Sequence, residues 1–92
     1  MLQPNDVIKL KYRLSPPKVM KVLGPYGMAA QLGAEVIGNP EYELMDLKTK
    51  ETYILSIYDI RILIDTPTKE EKVLYSVIIP DFSKYPGFQV TK

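Results

Sequence analysis

The chain has 92 residues, 46% of them hydrophobic, and a formal net charge of +1 from 12 basic and 11 acidic side chains. That length suits one domain around one modest core, and the near-neutral charge gives no general pull toward nucleic acid or an anionic membrane. Cysteine and histidine are both absent, which excludes a disulfide framework and a thiolate zinc site and removes the usual general base.

Residues 1–5 are a short lead-in without the apolar core of a signal peptide. No apolar run approaches the ~20 residues of a membrane span, so the expectation is a soluble intracellular chain. Residues 6–14 alternate. Ile8, Leu10, Tyr12 and Leu14 fall on one face, and Lys9, Lys11 and Arg13 on the other, as in a half-buried strand. Ser15-Pro16-Pro17 ends it, and residues 18–23 read as a second strand with Met20 and Val22 inward and Lys21 outward. Gly24-Pro25-Tyr26-Gly27 is a turn by composition. Residues 28–37 are ambiguous. Met28–Leu32 holds good helix formers, but Gly33 costs a helix ~1 kcal/mol relative to alanine, and a short strand followed by a loop is the slightly favoured alternative.

After the break at Gly38-Asn39-Pro40 comes the stretch around which the chain is organised. Tyr42, Leu44 and Asp46 alternate with Glu43, Met45 and Leu47, and Tyr53, Leu55 and Ile57 alternate with Thr52, Ile54 and Ser56. These runs predict a β-hairpin with Lys48-Thr49-Lys50 at its tip. The tip lacks the Asn-Gly or Asp-Gly that would fix a two-residue turn, so the register stays open. Tyr58-Asp59 interrupts the alternation, residues 60–64 resume as a strand, and Asp65-Thr66-Pro67 ends it. Residues 65–72 read as a solvated loop in which Thr68 and Glu71 match the capping box of a short helical turn. Residues 73–79 read as a last strand. Residues 80–92 carry Phe82, Tyr85 and Phe88 among two prolines and one glycine, too apolar for a free tail.

Five or six short strands separated by proline- and glycine-containing turns predict an all-β domain, a small barrel or rolled antiparallel sheet with a C-terminal extension. Residues 1–79 would form the barrel and residues 80–92 an aromatic arm. The succession NDVIKLKYR, PKVMKVLG, YELMDLKTKETYIL and YDIRIL resembles a small SH3-like barrel over roughly residues 6–64. In such barrels a short turn precedes the closing strand, and residues 56–59 sit where that turn would be. The resemblance implies the fold alone. The chain has no tryptophan, the ligand-groove aromatics of the signalling members have no counterparts, and residues 73–92 lie outside the pattern.

No catalytic residue, metal ligand, cofactor or small-molecule substrate is expected. The serines lack a recognisable base, and Gly24-Pro25-Tyr26-Gly27 is followed by Met28-Ala29, not by the lysine and hydroxyl of a phosphate-binding loop. Glu41 with Glu43, and Asp59 with Asp65, read as solvated edges that discourage strand pairing. Two surface features remain. Tyr75, Phe82, Tyr85 and Phe88 would contact another protein or a second copy of the chain, or, for the C-terminal three, close the barrel as core. Lys9, Lys11, Arg13, Lys18 and Lys21 would form a basic face toward phosphates, or simply a solvated strand face, with no aromatic interleaved to stack bases. Compact barrels with arms are common among accessory and virion proteins of bacterial viruses. By that analogy of architecture, the expectation is a non-catalytic interaction or assembly module in the cytoplasm or in a virion, with nucleic-acid binding as the alternative.

Overall fold

The alternation along residues 41–56 closes the expected hairpin. In the computed structural model, which describes residues 1–89, Glu41–Asp46 (β3) pairs antiparallel with Thr52–Ser56 (β4), Leu44 standing opposite Tyr53. The side chain of Asp46 sets the tip. One carboxylate oxygen accepts from the backbone N–H groups of Lys48 and Thr49 at 2.8 and 3.2 Å, an aspartate-centred turn that replaces the missing Asn-Gly. Lys50 takes the left-handed conformation (φ 68°) that brings the chain back.

Lys18–Tyr26 (β2) pairs with β3 on one side and Val7–Leu10 (β1) on the other, giving one antiparallel sheet in the order β1-β2-β3-β4. The β2–β3 register shifts between Val22 and Gly24. Gly24 stands there at φ 155°, a bulge that lets β2 run on through the segment expected to be a turn. Ile8, Leu10, Met20, Val22, Tyr42 and Leu44 are buried on the inner face of the sheet, with Leu2, Ile57, Ile60 and Tyr85 packed against them.

The outer edge of β1 is covered by two later segments. Leu10 forms an antiparallel bridge with Ile64, flanked by hydrogen bonds from Lys11 N–H to the Leu63 carbonyl and from Asp65 N–H to the Lys9 carbonyl. Val7 bridges Val77 in parallel. Only the outer edge of β4 is left without a strand or bridge among the described residues.

The sheet-rich domain stands, with four strands among the described residues where five or six were expected. Residues 60–64 are not a strand: Ile57–Leu63 is a helix (α2, numbered after Met28–Leu32, α1). Ile60, Ile62 and Ile64 fit a period of two, but Ile57, Ile60, Leu63 and Ile64 fit a helical face equally well. Ser56 decides between them by capping the N-terminus, its hydroxyl accepting from Asp59 N–H. Residues 73–79 are not a strand either. The capping box at Thr68 and Glu71 is present and starts Lys69–Tyr75 (α3), which ends at Ser76 in the left-handed conformation; Val77 alone makes a sheet-type bridge. The slightly favoured strand at Met28–Leu32 is α1, in which Gly33 ends the helix at φ 93° and so costs its interior nothing.

Candidate functional site

Residues 80–89 are part of the fold. Single 3₁₀ turns at Phe82–Lys84 and Pro86–Phe88 lay this segment over the end of the sheet where β3 begins. Tyr85 is fully buried. Its hydroxyl accepts from Leu2 N–H at 2.8 Å and shares a 2.8 Å hydrogen bond with the Tyr42 hydroxyl. Burial pushes both phenols above their ordinary value, and for Tyr42 the hydrogen bond to Tyr85 pushes further. Phe88 is half-buried, its ring 4.5 Å from that of Tyr58 and 5.6 Å from that of Phe82. The Arg61 guanidinium lies 5.4 Å from the Phe88 centroid. The Tyr58 hydroxyl donates to the Gly87 carbonyl at 2.6 Å. Of the four aromatics assigned to a partner contact, Tyr85 has no surface to offer, and Phe82 and Phe88 are packed against the core. Tyr75, on α3, is the exposed one. Residues 90–92 of the expected arm lie outside the described residues.

The basic face is divided. Lys9 is buried at 8% exposure because residues 65–71 fold back over β1. Its ammonium donates to Glu71 at 2.8 Å and to the Thr66 carbonyl at 3.4 Å, with Asp65 at 3.7 Å. The hydrogen bond to Glu71 raises the Lys9 pKa above the ordinary lysine value despite burial. The same bond, joined by one from Thr68 N–H, holds Glu71 below the ordinary glutamate value. Lys18 is half-buried, 3.5 Å from Asp46 and 5.9 Å from the centroid of Tyr53. Burial alone would raise the Asp46 carboxyl; the backbone donors at Lys48 and Thr49 and the Lys18 ammonium outweigh it and hold Asp46 low. Lys21 is half-buried on β2 opposite Val7. Lys11 and Arg13 are exposed. The five cations therefore do not make one free patch, since two of them serve carboxylates of the chain itself.

What sequence reasoning missed lies on α3 and just after it. None of the seven residues of this helix is buried. Val73 is 82% and Leu74 64% exposed, and Tyr75, Ile78 and Ile79 are exposed as well. Part of the signal was present: once Thr68 and Glu71 set a helix, Val73, two residues on, falls on the side away from the body of the protein that Glu71 faces, whereas Leu74 and Tyr75, three and four residues on, share the Glu71 side. Next to α3, at the end of the sheet where β2 begins and the β3–β4 hairpin turns, a cleft of about 520 Å³ is walled by the β1–β2 loop, the hairpin tip and the Glu71–Tyr75 side of the helix. A smaller apolar depression of about 260 Å³ lies between Tyr12, Leu55 and α2.

Among the described residues no group of three or more acidic side chains is placed to hold a metal ion, and no helix is long and apolar enough to cross a membrane. Comparison with protein-family models, with curated proteins and with solved structures gave no match.

Proposed function

We propose that this protein is a non-catalytic protein–protein interaction or assembly module, built on a small SH3-like rolled sheet and presenting α3 with residues 76–79 to a partner protein or a second copy of itself. The observation that carries this reading is the apolar surface of Val73, Leu74, Tyr75, Ile78 and Ile79, five large side chains exposed within seven residues. Singly scattered exposed apolar residues need no explanation, but five so close together in the chain are a concentration of exposed apolar surface of the kind that marks interaction sites. The barrel reading is supported by the chain after α2, which returns to bridge β1 at Leu10 and Ile64 as a closing strand would. The contact surface has moved from the C-terminal aromatics, which serve the core, to the helix before them. A nucleic-acid role has less support, because Lys9 and Lys18 are held by carboxylates and add little net charge for phosphates to meet.

A tagged chain and its Val73→Asp/Leu74→Asp variant, each used to capture partners with and without nuclease, test the reading. The expected result is a defined protein, or the untagged chain itself, that survives nuclease and is lost with the variant. Partners that all vanish on nuclease treatment, or that bind the variant equally well, would sink it.

A further inference from the structure

We infer that the cleft between the hairpin tip, the β1–β2 loop and α3 is a peptide-binding site for an extended partner segment in which an apolar or aromatic residue stands beside an acidic one. This rests on the interaction-module reading and goes further, naming the site and the chemistry of its occupant.

Three features of the cleft select that occupant. The first is the apolar lining. Pro16 and Pro17 form one wall, Val19 and Leu47 contribute from β2 and the hairpin, and Tyr75 stands on the helix side. The prolines have fixed φ and offer no N–H, and Leu47 is tied to β2 by a 3.1 Å hydrogen bond from its N–H to the Val19 carbonyl. These walls are set before any ligand arrives, which lowers the cost of binding. A volume of about 520 Å³ accommodates an anchoring side chain with its neighbours, within the range of ordinary ligand sites.

The second is charge. The two carboxylates at the cleft are already satisfied, Asp46 by the turn it caps and by Lys18, and Glu71 by Lys9 and Thr68. Of the two cations lining the cleft, Lys18 is paired with Asp46, and Lys48 at the hairpin tip has no carboxylate partner among the described residues. The uncompensated charge among the lining side chains is therefore the Lys48 ammonium, and it complements a carboxylate set next to the anchor. A nucleic acid fits less well. The cleft has one lining cation without a carboxylate partner, Lys48, and so offers no continuous line of free cations to track a backbone.

The third is the helix wall itself. Tyr75 lies one turn beyond Glu71, so the Lys9–Glu71 ion pair that anchors α3 also places the Tyr75 ring at the cleft. The Tyr75 hydroxyl, like those of Tyr12 and Tyr26, has no hydrogen-bond partner among the described residues, and of these three tyrosines it is the one that lines the cleft. A peptide lying against Tyr75 would cover part of a helix that otherwise has no buried residue.

Selection of a random peptide library displayed on the full chain's surface, followed by anisotropy titration of the enriched peptides, tests the inference. Enriched sequences are expected to pair Asp or Glu with a neighbouring Phe, Tyr, Trp, Leu or Ile. Their binding is expected to weaken roughly fivefold or more with Lys48→Glu and similarly with Tyr75→Ala, to stay unchanged with Lys84→Glu at the opposite end, and to weaken with salt. Both cleft positions are exposed, and thermal unfolding of each variant shows that the fold persists. No enrichment, enrichment without acidic bias, or peptides that bind the Lys48→Glu variant equally would overturn the inference. So would an oligonucleotide of the same length that competes at lower concentration than the peptides. Failure here alongside nuclease-resistant capture through Val73 and Leu74 would remove the cleft and leave the interaction module standing.

Discussion

Where β3 begins, the sheet ends in a closed cap; where β2 begins and the hairpin turns, it ends in an open cleft. At the capped end three aromatic rings and a shared phenol hydrogen bond join the C-terminal segment to Leu2, Tyr42 and Tyr58, and every buried side-chain polar atom among the described residues has a partner. At the open end the contacts are ionic: Asp46 holds its own turn, Lys18 leans on Asp46, and Lys9 reaches out to hold α3. The capped end thus draws its strength from buried apolar area and packing, the dominant favourable term in folding. The open end is positioned by charge pairs, which contribute less and respond to pH and salt. The difference separates the part of the chain that holds the fold from the part free to meet a partner.

The comparison breaks most directly at Tyr85. Replacing it with alanine removes a fully buried ring and leaves the Tyr42 hydroxyl and Leu2 N–H without their partner, so a loss of about 3–5 kcal/mol is expected in urea denaturation. A chain ending at Ile79 should lose cooperative unfolding altogether. If that shortened chain unfolds at an unchanged midpoint, residues 80–92 are an appendage after all and the closed end is not closed.

A smaller loss is expected from Gly87→Ala. An added Cβ would meet the Gly38 carbonyl oxygen at less than contact distance and stand 2.6 Å from the Tyr58 hydroxyl, so backbone must move or the segment must lift. Overpacking of this kind costs about 1–3 kcal/mol. A crystal structure or the chemical shifts of Tyr58 and Phe88 would show which of the two gives way.

Most of the sheet was legible because its strands carry one face of apolar residues and the hairpin carries two. What was not legible followed from two physical ambiguities. Residues 57–64 satisfy both a period of two and a helical face, and a single capping serine breaks the tie. Lys9 alternates outward with Lys11 and Arg13, yet a segment more than fifty residues later folds over it and supplies Asp65, Thr66 and Glu71. No local pattern encodes that return. The candidate site suffered most, since Tyr85 and Phe88 look alike in sequence whether a ring packs on its own chain or on another. The Thr68–Glu71 capping box was visible, and carrying its helix one turn further would have put Val73 on display; Leu74, three residues from Glu71, would have fallen on the side facing the protein.

The ionic character of the open end predicts its pH response. Glu71 and Asp46 titrate below their ordinary values in the folded chain, so each contributes stability that is fully present above the ordinary carboxylate pKa and is lost as pH falls through the depressed folded value. Lys9 titrates above its ordinary value; its contribution is full below the ordinary lysine pKa and is lost as pH rises through the raised one. Stability should therefore fall on acidification through the carboxylate range and again at strongly alkaline pH. Lys9→Met should flatten the part due to Glu71 and leave that of Asp46. Amide exchange in α3 should accelerate in this variant more than in β2 or β3, because the helix itself has no buried residue and, once the ion pair is gone, is held only by its flanks at Pro67 and Val77. Equal acceleration throughout would mean that Lys9 supports the whole sheet rather than the helix alone.

The smallest effect on stability is expected from Val73→Asp, and it sharpens the comparison most. Val73 is 82% exposed and points away from the side of α3 that carries Glu71 and Tyr75. Aspartate is a poorer helix former than leucine or glutamate but comparable to valine, and in the last turn of α3 its charge meets the negative end of the helix dipole, so a loss below about 1 kcal/mol is expected. The shift in urea denaturation should be smaller than that of Gly87→Ala. If binding is lost with only that small shift, α3 spends its apolar side chains on a partner and not on the fold. A midpoint shift as large as that of Gly87→Ala would instead make Val73 part of the folding core, and the open end would be closed by contacts that its exposure does not reveal.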